Sequence, residues 1–245
     1  MKQPCNTYHQ QGLTLIELMI AMLLGVFLIG GILQIFISTK QSYRMQENLS
    51  RLQENGRYAI DFIARDIRMA GYWGCLSPSS PDVDIAGTND VDNYTDSNGN
   101  VIYTDSITLR GAYSQIPTGT CGTPVNTAAV YYTDASSTVT YSINNGVLRK
   151  NADDLIEGIQ DMQILYGEDT APLDGTANYY VSADNVVNMA NVVSIRVSFL
   201  VRTLDDNLAA QTLLYNYNDA TDIDPGDRRI RRVFTATIAV RNRLI

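Results

Sequence analysis

The sequence is short of the side chains that most catalytic and metal sites need. It has one histidine, His9, and three cysteines in 245 residues. Everything after His9 therefore lacks an imidazole, which excludes the Ser-His and Cys-His arrangements of hydrolases and histidine-based metal sites. The sequence also lacks a P-loop and a Gly-x-Gly-x-x-Gly motif. We expect neither enzymatic activity nor a cofactor or metal.

Acidic residues occur as adjacent pairs, Asp153-Asp154 and Asp205-Asp206. Two carboxylates could in principle serve a glycosidase. Adjacent residues of a strand point to opposite faces, however, so solvated loop positions are the favoured interpretation.

Positive charge is also scarce. The chain has 18 Lys and Arg against 26 Asp and Glu, for a net charge of −8. Nucleic-acid-binding proteins usually carry a basic footprint, so no nucleic acid partner is expected. Basic residues do cluster near the C-terminus, where we interpret them as the solvent side of a strand, paired with acids: Arg228, Arg229, Arg231, Arg232, Arg241 and Arg243.

One apolar run stands out, from Leu18 to Ile37, with Glu17 at its start. A helix needs about 20 such residues to cross a bilayer. A cleaved secretory signal is usually shorter, with an apolar region of about 7–15 residues. A plain anchor leaves Glu17 unexplained, because a carboxylate at mid-depth costs about 2.5–3.5 kcal/mol.

A third interpretation accounts for the glycine, the acid and the length together. Residues 12–19, GLTLIELM, resemble the class III signal of type IV prepilins and type II secretion pseudopilins. The resemblance implies that residues 1–12 are a leader, that a prepilin peptidase cleaves between Gly12 and Leu13, and that Leu13 is then N-methylated. Leucine stands there in place of the usual phenylalanine. The resemblance also places the leader in the cytoplasm and the chain from Lys40 onward outside.

Glu17 has a specific role in such a protein. Cleavage gives Leu13 a free amine, which can pair with Glu17 of a neighbouring subunit when helices stack with an axial offset. Breaking a buried ion pair costs about 3–5 kcal/mol. Helices stacked in the register that forms the pair would therefore be more stable than helices stacked in any other register. Alternatively, Glu17 only extends to the interface as a solvated charge. The glycines at positions 25, 30 and 31 have two interpretations that the sequence supports equally. They could permit a kink in the helix, or they could allow another helix to pack closely.

The resemblance also bears on the cysteines. Cys5 lies in the leader and would be discarded, which leaves Cys75 and Cys121 in an exported domain. Disulfides persist in that environment, so we predict a Cys75–Cys121 bond rather than two free thiols.

The helical pattern continues past the apolar run. Apolar residues between 45 and 67 recur near helical spacing among charges, and no proline occurs between Pro4 and Pro78. The pattern predicts one helix from about Leu13 to Met69, with Gly71 as its C-cap. The segment that closes this helix, residues 65–75, and the C-terminal run 228–242 both resemble PilW-like minor pilins.

The rest of the chain predicts loops and strands. Residues 77–100 have the composition of a loop. Within them, residues 96–100 have two interpretations, a calcium-binding loop and a hairpin turn at Asn98-Gly99, and the turn is the favoured one. Residues 185–191 predict a short helix. Alternation and β propensity predict strands near 107–109, 129–133, 138–143, 147–150, 159–166, 193–201 and 234–240.

The expected fold is therefore α+β and pilin-like, with a long N-terminal helix packed on an antiparallel sheet. Residues 13–37 would span the inner membrane, 38–70 would be the exposed half of the helix, and 71–245 a β-rich domain in the periplasm, then on an extracellular pilus, at its tip. The resemblance implies a minor pilin that initiates or caps type IV pilus assembly with other minor and major pilins. The alternatives are a minor pseudopilin, or a pilus-tip adhesin or DNA receptor, for which Tyr131-Tyr132 and Tyr179-Tyr180 are faint hints.

Overall fold

The structure is a computed structural model that describes residues 14–72, 84–95, 99, 101–111, 138–218 and 220–243. The chain divides into two compact units, residues 1–46 and 47–245. One helix, α1 (Leu15–Met69), contributes residues to both. The helix, together with antiparallel sheets, confirms the α+β class that the sequence predicts.

In the first unit, α1 carries an apolar surface that the chain itself does not cover. Every large hydrophobic residue from Leu15 to Ile37 is exposed. This part of α1 is long and apolar enough to cross a membrane. The helix runs unbroken through Gly30 and Gly31, and a Cβ added at either glycine would meet nothing within 4 Å. Close packing at these glycines therefore requires a partner.

In the second unit, α1 buries one face, whose positions recur at helical spacing: Asn48, Leu52, Gly56, Ala59, Ile63, Ala64, Asp66 and Ile67. The helix ends where Gly71 adopts a φ of +73°, a left-handed conformation that glycine reaches without steric cost. The amide of Gly71 donates to the carbonyl of Arg110 at 2.9 Å. The predicted C-cap thus also joins the helix end to a strand.

Eleven strands are present in the described residues: β1 (Ile85–Thr95), β2 (Val101–Arg110), β3 (Thr138–Asn144), β4 (Val147–Lys150), β5 (Asp153–Glu157), β6 (Ile159–Glu168), β7 (Tyr179–Val181), β8 (Val192–Arg202), β9 (Tyr215–Tyr217), β10 (Ala220–Ile223) and β11 (Arg231–Ala239). They form a five-stranded sheet in the order β1-β2-β3-β4-β5, a four-stranded sheet in the order β11-β8-β6-β7, and the hairpin β9–β10. All pairings are antiparallel.

Several sequence-based expectations need correction. One sheet was expected, and the described strands form three. Residues 85–95, expected to be loop, form β1, because pairing with β2 outweighs the low β propensity of Asp, Asn and Gly. The helix expected at 185–191 is instead two single 3₁₀ turns, Ala183–Asn185 and Met189–Asn191. The strand expected at 129–133 lies outside the described residues.

The hairpin interpretation of residues 96–100 agrees with their neighbours. Thr95 pairs with Val101 across an antiparallel ladder, and of the residues between them only Gly99 is among the described residues. Gly99 has a φ of +85°, as turns of this kind require.

Side chains of β2 join the two larger sheets. Thr104 is fully buried, and its hydroxyl lies 3.2 Å from both the amide nitrogen and the carbonyl oxygen of Met162. The carboxylate of Asp105 accepts the amide of Ile164 at 2.7 Å and the amide of Asp90 at 2.9 Å. These contacts satisfy backbone groups of β6 where the two sheets meet.

The acids near this junction predict a pH-dependent stability. Burial raises the pKa of Asp161 to about 7 and that of Asp105 to about 6. A carboxyl group with a raised pKa favours folding while it is protonated, and that contribution is lost as the pH rises through the folded-state pKa. We expect the free energy of unfolding to fall by about 1–3 kcal/mol between pH 5 and pH 8.

Chemical unfolding of the detergent-solubilised full chain, followed by circular dichroism across that pH range, measures the effect. Asp161→Asn should make the profile shallower, with the contribution of Asp105 remaining, and should raise stability at pH 8. The exposed control Asp61→Asn should leave the profile unchanged. A flat wild-type profile would contradict the prediction.

Candidate functional site

The first turn of α1 places Glu17 where it caps its own helix. The backbone amide and the hydroxyl of Thr14 both donate to Oε2 of Glu17, at 3.0 and 2.9 Å. The amide of Glu17 lies 3.4 Å from the hydroxyl of Thr14. This reciprocal arrangement is a capping box. Its sequence signature, Thr-x-x-Glu, is present at residues 14–17 and is the local signal that identifies this cap.

The capping geometry leaves Glu17 able to bind a second donor. Both donors of Thr14 converge on Oε2, and within the described part of the chain Oε1 accepts no hydrogen bond. The residue is exposed, and an ionised carboxylate can accept about four hydrogen bonds. Glu17 can therefore cap its own helix and bind a cationic group of another molecule at the same time.

The other predicted site residues cannot be compared with the structure. Gly12, Leu13, Cys75 and Cys121 all lie outside the described residues. The cleavage site and the disulfide therefore stay predictions.

The second unit docks its part of α1 firmly on the sheets. Gly56 lies against the ring of Phe234 in β11, so close that an added Cβ would sit 2.5 Å from two of its ring carbons. Asn48 and Asp205 exchange two hydrogen bonds, of 3.1 and 3.2 Å. The side chain of Asn55 donates to the carbonyl of Glu157 at 2.9 Å.

An ion pair between a buried carboxylate and a half-buried lysine adds to this docking near the helix end. Asp66 is 6% exposed, and one of its oxygens lies 2.7 Å from the ammonium of Lys150 in β4. The same oxygen accepts the hydroxyl of Tyr141 in β3 at 2.6 Å. A buried carboxylate paired in this way is costly to disturb, so α1 is held in one register on the five-stranded sheet.

The acid pairs have structural roles. Asp154 pairs with Arg149 at 2.7 Å, and Asp153 beside it is exposed. Asp205 binds Asn48, while Asp206 accepts the amide of Arg228. Neither pair forms an acidic dyad. No group of three or more His, Cys, Asp or Glu suited to a metal ion occurs within the described residues.

The tyrosine pair at 179–180 contacts neighbouring side chains of the same fold. The hydroxyl of Tyr179 donates to Glu168 at 2.8 Å. Tyr180 lies 3.0 Å from the hydroxyl of Ser194, and the guanidinium of Arg196 stacks 4.1 Å from its ring. Tyr131 and Tyr132 lie outside the described residues.

The sequence predicted that the C-terminal arginines lie on the solvent side of a strand. This holds for Arg232 but not for Arg231. The side chain of Arg231 is 2% exposed and binds both carboxylate oxygens of Asp227, at 2.6 and 2.8 Å. It also donates to Gln160 at 2.8 Å. Arg232, the next residue, is exposed, in agreement with the alternation of a strand.

Comparisons with known proteins agree with the motifs at both ends of the chain. Residues 128–242 match the family model of type IV pilus-assembly protein W, PilW. Residues 8–33 match the prokaryotic N-terminal methylation motif. A solved structure of a type IV-like pilin from Thermus thermophilus aligns with a TM-score of 0.45 at 12% identity, covering 80% of this chain and 98% of that one. A search of the curated proteins found no match.

Proposed function

We propose that this chain, whose residues 128–242 match the PilW family model and whose residues 8–33 match the N-terminal methylation motif, acts as a minor pilin. In this role it is a low-abundance subunit that helps to initiate or cap a type IV pilus. It acts by assembly with other pilins and catalyses no reaction.

The observation that carries this proposal is the contrast between the two parts of α1. From residue 48 onward the helix buries a continuous face within the folded unit. From Leu15 to Ile37 its hydrophobic side chains stay exposed on all sides. Uncovered apolar surface of this extent needs lipid or another apolar partner. A bilayer before assembly and the helices of other pilins after it would each supply that partner.

Glu17 gives the assembled helices their register. Its free Oε1 would receive the amine of Leu13 from a neighbouring subunit, while Oε2 keeps the helix capped. Between packed helices the effective dielectric constant is lower than in water, which strengthens the attraction between the two charges. A misaligned subunit would leave the carboxylate without its partner.

The remaining assignments complete the proposal. Residues 1–12 are the leader, residues 13–37 are the membrane and assembly segment, and residues 38–70 continue the helix. Residues 71–245 fold in the periplasm before they reach the pilus, where a tip position suits a low-copy subunit. A Cys75–Cys121 disulfide would stabilise this domain by about 4 kcal/mol on the chain-entropy model.

Processing gives the first prediction on function. Prepilin peptidase should cleave between Gly12 and Leu13, so the mature chain should begin at a methylated Leu13. Gly12→Val should leave the precursor uncleaved, because it replaces the glycine after which the peptidase of the resembling family cuts. The control Gly25→Ala, within the helix, should be cleaved normally.

Mass spectrometry of the N-terminal peptide distinguishes these products. An N-terminus near Thr39, or normal cleavage of the Gly12→Val precursor, would contradict the prepilin assignment.

A deletion strain tests the proposed function itself. We expect fewer pili per cell and reduced twitching, with both restored by the wild-type chain. Loss of secreted enzymes with normal pili would instead indicate a pseudopilin of type II secretion. Normal piliation with loss of DNA uptake or adhesion alone would indicate a receptor module.

A further inference from the structure

The second unit contains an open cleft that the assembly role does not use. Its volume is about 680 Å³, within the range of about 300–1,000 Å³ that is typical of small-molecule sites. Strands β1 and β2 border it, together with β6, β8 and the hairpin β9–β10. The lining combines three tyrosines, three amides and two carboxylates: Tyr103, Tyr215, Tyr217, Gln160, Gln163, Asn218, Asp90 and Asp161.

Irregular positions in two strands present the carboxylates to the cleft. The pairing of β1 with β2 shifts register between Thr88 and Asp92, and Asp90 lies at this shift with a φ of +50°. The pairing of β6 with β8 shifts between Ile159 and Asp161. Bulges of this kind commonly redirect side chains at the functional sites of sheets.

Burial of the Asp161 carboxyl group reduces the stability of the fold when the group is ionised. It is 7% exposed, and no residue within the described part of the chain forms an ion pair with it. Burial raises its pKa to about 7, so at neutral pH the group is partly protonated. Such a carboxyl can either accept a hydrogen bond from a hydroxyl or donate one to it.

An amide network holds the polar wall of the cleft in place. The side-chain amide of Gln163 donates to Asp90 at 3.2 Å and lies 3.4 Å from the carbonyl of Tyr103. The side chain of Asn218 donates to Gln163 at 3.2 Å. These bonds orient the amides before any ligand binds, which lowers the entropic cost of binding.

The charge of the lining narrows the class of ligand. None of the described lining residues is Lys, Arg or His. Arg231, whose guanidinium lies 5.4 Å from the Tyr215 ring, already binds Asp227. The cleft therefore disfavours anionic ligands. Its amide and tyrosine groups can exchange hydrogen bonds with neutral hydroxyls, and Asp161, which is partly protonated at neutral pH, attracts a cation less strongly than a fully ionised carboxylate would. Tyr103 adds a ring that is 54% exposed, on which the apolar face of a sugar ring can stack.

We propose that this cleft binds a neutral saccharide, with Asp90 and Asp161 hydrogen-bonded to its hydroxyl groups and Tyr103 packed against a pyranose ring. This role is separate from the assembly role. The test below uses purified protein, so its failure would leave the minor-pilin proposal unaffected.

The test is binding of defined probes to the full chain in lauryldimethylamine oxide, a detergent without a sugar headgroup. The neutral probes are maltotriose, triacetylchitotriose and lactose, the anionic probe is trigalacturonic acid, and the cationic probe is tetralysine. Saturation-transfer NMR should detect binding of at least one neutral saccharide and no binding of trigalacturonic acid. Titration then gives the dissociation constant for that saccharide.

Matched variants locate the binding. Tyr103→Ala and Asp161→Asn should each weaken binding by about tenfold or more. Tyr58→Ala removes a tyrosine of similar exposure, 49%, from α1, and Asp61→Asn neutralises an exposed acid. Both controls should bind as the wild type does.

Three results would overturn the proposal. One is the absence of binding by every neutral probe at about 10 mM, a concentration at which even weak complexes form. Another is unchanged affinity in Tyr103→Ala or Asp161→Asn. The third is binding of tetralysine in place of the saccharides, which would make the cleft a site for a basic peptide.

Discussion

Glu17→Gln is expected to block incorporation of the chain into pili while leaving cleavage and membrane insertion intact. Glutamine keeps the shape of the side chain and can replace glutamate in a capping box, so the contacts with Thr14 persist. The charge that would attract the amine of Leu13 on a neighbour is lost. Insertion should not suffer, since removing an acid beside the apolar run lowers the cost of entering the bilayer.

Two further variants separate capping from charge. Thr14→Ala removes the hydroxyl of the capping box but keeps the carboxylate, and should cost the helix about 1 kcal/mol with a much smaller effect on assembly. Glu17→Ala removes both the cap and the charge, and should assemble no better than Glu17→Gln. Glu47→Gln, which breaks only a surface pair with Arg51, is the matched control and should assemble normally.

Incorporation is measured as the amount of the chain in sheared pili and as co-purification of other pilins. If Glu17 only extends to the membrane surface, Glu17→Gln would give wild-type amounts in both assays. If Thr14→Ala were as defective as Glu17→Gln, the capping box rather than the charge would carry the role.

The second large effect is expected from Gly56→Ala. An alanine normally stabilises a helix by about 1 kcal/mol relative to glycine. Here its Cβ would lie 2.5 Å from Cδ2 and Cε2 of Phe234 and 2.7 Å from Cζ. The ring or the helix must move, and overpacking of this kind typically costs about 1–3 kcal/mol. We expect a net loss of stability despite the better helix propensity.

Gly31→Ala is the matched control, because Gly31 lies in the same helix with nothing within 4 Å. It should be neutral or slightly stabilising. Phe234→Leu should reduce the penalty of Gly56→Ala, so that the two changes are coupled. Chemical unfolding of the detergent-solubilised chain gives the free energies of unfolding of the wild type, the three single variants and the Gly56→Ala/Phe234→Leu double variant. Equal stability of Gly56→Ala and Gly31→Ala would mean that the helix does not pack on Phe234 as described.

The helix was predictable because its signals are local. The signals are the apolar run, the lack of proline before Pro78 and the glycine at position 71, all of them in or next to the helix itself. These signals alone predict the end of α1 at Met69, where the structure has it. The capping box of Thr14 and Glu17 was equally local and could have been recognised.

The sheets were harder to predict because their partners lie far apart in sequence. Residues 85–95 contain Asp, Asn and Gly, and they form a strand because β2 supplies hydrogen-bonding partners. The burial of Arg231 likewise depends on Gln160, 71 residues away. A single strand's composition carries little information about such partners.

The cleft was not predictable for the same reason. Tyr103 comes from β2, while Tyr215 and Tyr217 come from β9, more than a hundred residues later. Asp90 and Asp161 line the cleft from positions where the strand pairing shifts register. The periodicity of the sequence does not predict such shifts. Tyr179 and Tyr180, which the sequence suggested as binding residues, have other contacts. Tyr179 donates a hydrogen bond to Glu168, and the guanidinium of Arg196 stacks on the ring of Tyr180.

The most direct measurement on the central claim is quantitative mass spectrometry of sheared, purified pili. The minor-pilin account predicts that this chain is present, far less abundant than the major pilin, and begins at methylated Leu13. In a strain that carries Glu17→Gln, the same cleaved chain should stay in the inner membrane. A chain that is absent from wild-type pili, or present there with the Glu17→Gln change at an undiminished level, would contradict the account.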